Sequence, residues 1–254
     1  MFPYKDENPT VLTPYVTVGI IIVTGIVWVV AQGAGTYPAL ARSVCELGVI
    51  PGELLGRLPG AVSIPIGPGM ECQVGASPPA WHTVITSIFL HGGWFHLIGN
   101  MWFLWVFGNN VEDSMGHARF VMFYLLAGVI AALAQVFVSP SSPIPMVGAS
   151  GAISGVMGGY VVLYPFVRVY VLIPLGFFLT SAALPAWTMV GYWVLIQILS
   201  GLVALGGTQL GGVAFWAHVG GLFAGVVLVR LFARGDYVSA HRATHWQPRH
   251  LGRQ

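Results

Sequence analysis

Charge is what this chain has least of. Only 7% of its 254 residues are Asp, Glu, Lys or Arg, against about 25% in an average soluble domain. With 56% hydrophobic residues as well, a soluble globular protein is excluded. Finer absences narrow the class further. No His-Glu-x-x-His stretch occurs, so the helix-borne zinc site of a metalloprotease is missing. The aspartates are Asp6, Asp113 and Asp236, all outside or at the ends of apolar runs, so no carboxylate pair can share a proton at membrane depth. No charged residue occupies the centre of a predicted span, which disfavours a transporter or channel. The ten basic residues form no stripe, so nucleic acid is not an expected partner. Two cysteines, Cys45 and Cys72, make no zinc site, and nothing calls for a metal or cofactor. The alternating ten-residue strands of a membrane barrel are also absent.

What remains is long uncharged sequence: residues 8–41, 72–111, 120–167 and 169–229. A spanning helix needs roughly 20 apolar residues. The last two runs hold two spans each, broken at Ser139-Pro-Ser-Ser-Pro-Ile-Pro145 and at Gly206-Gly-Thr-Gln-Leu-Gly-Gly212. The reading is an all-α, polytopic bundle of six transmembrane helices near 12–32, 94–110, 118–138, 150–165, 186–204 and 213–233. A short segment 1–11 precedes this 12–233 domain, a long first loop covers 33–80, and a polar tail covers 234–254. Segment 169–185, interrupted by Pro174, Gly176 and Pro185, reads as a partly buried connection. The first helix is longer than a signal h-region and has a weakly basic start, so cleavage is not expected.

Six spans put both termini on one side, together with eight of the basic residues, from Lys5 and Arg119 to Arg253. Only Arg42 and Arg57 fall opposite. This asymmetry predicts a multi-pass cell-membrane protein with cytoplasmic N- and C-termini. The first loop then faces an oxidising compartment, where Cys45 and Cys72 can bridge. Two unpaired thiols are the alternative.

Two polar residues at membrane depth stand out. Ser150 lies in Gly148-Ala-Ser-Gly151, at the predicted start of the fourth helix, and His218 lies in Ala217-His-Val-Gly-Gly221 of the sixth. Serine at a helix start is commonly just a cap. Here, however, Gly151, Gly155 and Gly159 form a small-residue ridge, and Ala217, Gly221 and Gly225 form a matching one. Such ridges let helices approach closely and would bring Ser150 to His218. A hydroxyl against a neutral imidazole is the minimum for an activated serine nucleophile. Residues 91–101, His-Gly-Gly-Trp-Phe-His-Leu-Ile-Gly-Asn-Met, place His96 and Asn100 on one helix face. Both are donors that could serve an oxyanion. His91 and His96, five apart with no carboxylate nearby, do not make a metal site.

The segment from His91 to Asn100, Phe107-Gly108-Asn-Asn-Val-Glu112-Asp-Ser-Met-Gly116 with Arg119-Phe120, Gly148–Gly151, and Ala217–Gly221 followed by Gly225 occur in that order over about Trp81 to Arg234. In this the chain resembles the rhomboid family of intramembrane serine proteases, of the bacterial type. The resemblance implies a catalytic pair of Ser150 and His218 without an acidic third member. It implies an oxyanion site from His96, Asn100 and the backbone amide of Ser150. It implies substrates that are transmembrane segments of other membrane proteins, cut near their outer end, with the lipid bilayer as the medium. Family members often carry an aromatic residue one turn after the serine, under the histidine ring. This chain has Ser154 there, which leaves open what orients His218. The loop 206–212 is expected to act as a lid above His218, and Trp187, Tyr192 and Trp193 to form an interfacial belt. The competing reading is a proteolytically inactive rhomboid-like binder of membrane helices. The sequence does not fix an oligomeric state.

Overall fold

Gly116 turns the chain back on itself between the two longest helices, with φ at +79°, a backbone region that favours glycine at helix ends. The computed structural model describes residues 2–67, 69–75, 78–176, 178–206 and 213–245. In chain order its elements are β1 (Phe2–Asp6), α1 (Tyr15–Val30), α2 (Ala39–Leu47), α3 (Pro51–Leu54), β2 (Val62–Gly67), β3 (Met70–Val74), α4 (Thr83–Thr86), α5 (Trp94–Met115), α6 (His117–Val138), α7 (Ser150–Leu163), β4 (Arg168–Leu175), β5 (Phe178–Pro185), α8 (Ala186–Leu205), α9 (Phe215–Phe232) and α10 (Gly235–His245). The protein is mostly helical. Among the described residues, α6, α8 and α9 are long and apolar enough to cross a membrane, while α1 and α7 are shorter apolar helices.

At the centre sits α7, buried continuously from Gly151 to Tyr160. A helix that is apolar all round belongs in the interior. It is wedged between α6 and α9. A Cβ at Gly155 would lie 2.5 Å from the Cβ of Ala127 on α6. On the other side, a Cβ at Gly221 would collide with the Gly151 carbonyl oxygen, and one at Gly225 with that of Gly155. The two small-residue ridges therefore meet backbone to backbone at these positions, whereas Gly159 lies against Phe123 and Val229.

The end of the bundle remote from Ser150 is held by polar contacts. Glu112, fully buried, accepts hydrogen bonds from the Val16 and Thr17 amides at 2.9 and 2.8 Å and from the Thr17 hydroxyl at 2.7 Å. A carboxylate there satisfies the free N–H groups that open α1 and complements the helix dipole. Asp113 does the same for Val11 and Leu12.

The expectation of an all-α chain needs correction. Segment 168–185 is a hairpin, β4–β5, and β1 pairs with β4 to make a three-stranded antiparallel sheet in the order β1-β4-β5. Val167, Val169 and Val171 are buried while the residues between them are not. That period of two marks a half-buried strand, and β-branched and aromatic residues suit it. The first loop is also structured. It carries α2, α3 and a second hairpin, β2–β3. Cys45 of α2 and Cys72 of β3 are bonded, their Cα atoms 5.4 Å apart. The tail starts as α10, joined to the α5–α6 corner by the Arg234 amide on the Ser114 carbonyl and by Tyr237 against Gly116. Residues 246–254 lie outside the described residues.

Candidate active site

Ser150 opens α7 and His218 sits in the first turn of α9. His218 Nε2 is 2.8 Å from Ser150 Oγ. Their approach follows from the backbone contact of α7 with α9 just described: only glycine at 221 and 225 lets the helices come that close. The capping alternative for Ser150 has no support, since α7 has no side-chain cap bond and the hydroxyl faces the imidazole.

Each helix start needs partners for its free N–H groups in an apolar setting. At α9 they come from a neighbouring helix. Gln135 Oε1 accepts from the Trp216 amide at 3.0 Å and the Ala217 amide at 3.3 Å. At α7 the approach strand is fixed by a bridge between Val49 and Met146 and by the Gly148 amide on the Ser87 carbonyl.

His96 is set by the turn into α5. Gln32, fully buried, accepts from the His91 amide and donates to the His91 carbonyl, both at 2.8 Å. The Gly92 amide then donates to His96 Nδ1 at 3.3 Å. That leaves the proton of a neutral His96 on Nε2. This nitrogen faces Gly148, where an added Cβ would lie 2.8 Å from it and 3.4 Å from Ser150 Oγ. His96 and Ser150 thus flank one spot. Asn100, one turn further along α5, is 7% exposed, and its Nδ2 has no hydrogen-bond partner among the described residues. It does not line the cavity that His96, Ser150 and His218 share.

That cavity measures about 1050 Å³. Its walls are residues 143–147, Trp94 and Phe95, and Ile64, Pro65, Ile66 and Met70 from the β2–β3 hairpin. The disulfide ties this hairpin to α2.

Sequence reasoning missed what holds the histidine. Gln197 Oε1 lies 2.7 Å from His218 Nδ1, and the Trp193 ring sits 5.6 Å from the imidazole, tilted by 40°. Both come from α8, four residues apart. Trp193 is therefore not merely interfacial, whereas Trp187 and Tyr192 are exposed. Ser154, at the position where family members often carry an aromatic, is buried and bonds the Ser150 carbonyl at 2.6 Å. A signal existed: Gln32, Gln135 and Gln197 each interrupt apolar sequence. They are uncharged, and a search for ionisable groups passes over them. Of the expected lid, 207–212 lie outside the described residues.

The chain is 33% identical over 161 residues to Rhomboid-like protein 11, chloroplastic, of Arabidopsis thaliana, covering 61% of the chain and 54% of that protein. It is 45% identical over 78 residues to Rhomboid protease GluP of Bacillus subtilis (31% and 15%), and 27% identical over 141 residues to Rhomboid protein 1, mitochondrial, of Saccharomyces cerevisiae (53% and 41%). Each alignment spans less than two thirds of the relative's own length. The Rhomboid domain model matches residues 78–235, more than half of the chain and all of the segment that carries His96, Ser150 and His218, so the chain belongs to the rhomboid family.

Proposed function

We propose that this protein is an intramembrane serine endopeptidase that cleaves transmembrane segments of other membrane proteins. The observation that carries the reading is the 2.8 Å contact between His218 Nε2 and Ser150 Oγ, both of which line one largely apolar cavity. On this reading His218 Nε2 takes the hydroxyl proton as Ser150 Oγ attacks the scissile carbonyl carbon. The carbonyl oxygen becomes an oxyanion, received by His96 Nε2–H, the Asn100 amide and the Ser150 backbone N–H. The C–N bond then breaks. The leaving amine takes the proton from His218, and an ester to Ser150 remains. Water, deprotonated by the same histidine, attacks the ester and releases the acid and the free serine. The unpartnered Nδ2 of Asn100 supports a donor role.

The proposed topology has six spans, α1, α5, α6, α7, α8 and α9, with both termini cytoplasmic. Lys5, Arg119, Arg168 and Arg234 fall in or beside β1, α6, β4 and α10, at the end of the bundle away from Ser150. The disulfide belongs to the opposite side, where it would persist.

Reaction of the purified protein with a fluorophosphonate tests this. One serine should be labelled, with labelling lost in Ser150→Ala, and that variant should no longer cut a single-span fusion protein co-reconstituted in liposomes. The alanine change should leave the fold intact. A parent that neither labels nor cleaves would favour an inactive binder of membrane helices.

A further inference from the structure

Resting on that protease reading, we propose that Gln197 is the third member of the site: a positioning residue that fixes the tautomer and plane of His218 through its amide oxygen. Four observations carry it. Gln197 Oε1 and His218 Nδ1 are 2.7 Å apart. Gln197 is 9% exposed, whereas Leu195 and Leu199 on the same helix are more than half exposed. The amide is turned inward from a helix that carries no charged residue, where an unpaired one would cost several kcal/mol. Trp193, one turn earlier on that face, packs against the same ring, so two side chains of α8 grip one imidazole. And Ser154 puts no aromatic from α7 under the ring, its hydroxyl being bonded to the Ser150 carbonyl.

A group of this type suits the chemistry. With Oε1 facing it, Nδ1 must carry a proton, so a neutral His218 presents the lone pair of Nε2 to Ser150. That is the form a general base needs. When Nε2 takes the serine proton, Nδ1–H is unchanged and the bond to Gln197 persists. The ring is therefore held the same way before and after each proton transfer. A carboxylate could do this and also stabilise the cation, but a charge at membrane depth is costly. An amide oxygen orients the histidine without that cost.

The test uses the full chain in detergent micelles, with two readouts. ¹⁵N NMR of labelled imidazoles, with the His218 signal assigned by its loss in His218→Ala, should show Nδ1 protonated and Nε2 as acceptor in the parent. Gln197→Leu, similar in size but without an acceptor, should lose that single-tautomer signature. The same variant should lower the rate of fluorophosphonate labelling at Ser150 by about tenfold to a hundredfold, part of the roughly 10²–10⁴-fold that general-base catalysis supplies. Gln197→Glu, which keeps an acceptor oxygen, should restore both the tautomer and most of the rate. A parent with the proton on Nε2, or a folded Gln197→Leu protein with parental rate and tautomer, would overturn the proposal. If Ser150 fails to label in the parent, the protease reading falls, while the NMR signature still decides whether Gln197 sets the tautomer.

Discussion

Gly148→Ala is the smallest change that should separate the chemistry from the fold. Gly148 has φ of +134°, a backbone region costly for any residue with a Cβ. Holding alanine there should cost about 1–3 kcal/mol of stability. The added methyl would also lie 2.8 Å from both Cε1 and Nε2 of His96. An ordinary van der Waals contact begins near 3.4 Å, so the ring must retreat by roughly 0.6 Å. The retreat strains the already long Gly92–His96 bond of 3.3 Å and moves the Nε2 donor away from the spot beside Ser150. Catalytic groups must be held within about 0.5 Å, and a 1 Å error can cost about a hundredfold. Turnover should therefore fall by about tenfold to a hundredfold, or about 1.4–2.7 kcal/mol at the transition state. The assay is the second-order rate of fluorophosphonate labelling, run beside thermal unfolding. A double-mutant cycle supplies the control: in a His96→Ala background, Gly148→Ala should lose most of its effect on rate but keep its effect on stability. Equal rate losses in both backgrounds would refute the argument that the methyl acts through His96.

Two further changes probe the frame around the site. Gly221→Val should destabilise by at least about 3 kcal/mol and abolish labelling, because its Cβ would strike the Gly151 carbonyl, a backbone atom that cannot rotate aside; a stable, fully labelled variant would show that α7 and α9 are not in backbone contact there. Protein purified with thiols blocked should show Cys45 and Cys72 joined in non-reducing mass spectrometry, and the paired Cys→Ala variant should lose up to about 3–4 kcal/mol, the chain-entropy value for a loop of this size; two freely alkylated cysteines would reject the bridge, and labelling of Cys45 from the cytoplasmic side in intact cells would overturn the placement of the first loop outside the cytoplasm.

Helices and the proximity of Ser150 to His218 were legible in the sequence because both rest on strong one-dimensional signals. Long uncharged runs set the helices, and glycine at every fourth position set the face on which α7 meets α9. The strands were not legible for an equally physical reason. In segment 168–185 the runs are short and apolar on both faces, so period two is visible only once Val169 and Val171 are seen to be buried. Pro174 and Gly176, read as interruptions, mark instead the end of a hairpin. The first loop hid its hairpin in the same way: Ile64 and Ile66 alternate with Ser63 and Pro65 over too few residues to stand against the Gly- and Pro-rich background.

The three glutamines show why the site was only half readable. Bringing a histidine and a serine together at depth solves one problem and creates another, since helix ends, turns and an imidazole all present hydrogen-bonding groups that lipid cannot satisfy. Gln135 answers this for the start of α9, Gln32 for the turn at His91, and Gln197 for His218 Nδ1. Gln32, Gln135 and Gln197 lie 59, 81 and 21 residues from the groups they bond, too far for helix or strand spacing to reveal the partnership. Each is also uncharged, and so places an acceptor in the apolar interior without the cost of an ion. The composition that excluded a soluble fold at the outset is thus the condition that decides the site's chemistry. Around the site, where no carboxylate is placed, amides do the work of fixing backbone turns and orienting the histidine, and on the proposed reading Ser150 and His218 act as a pair.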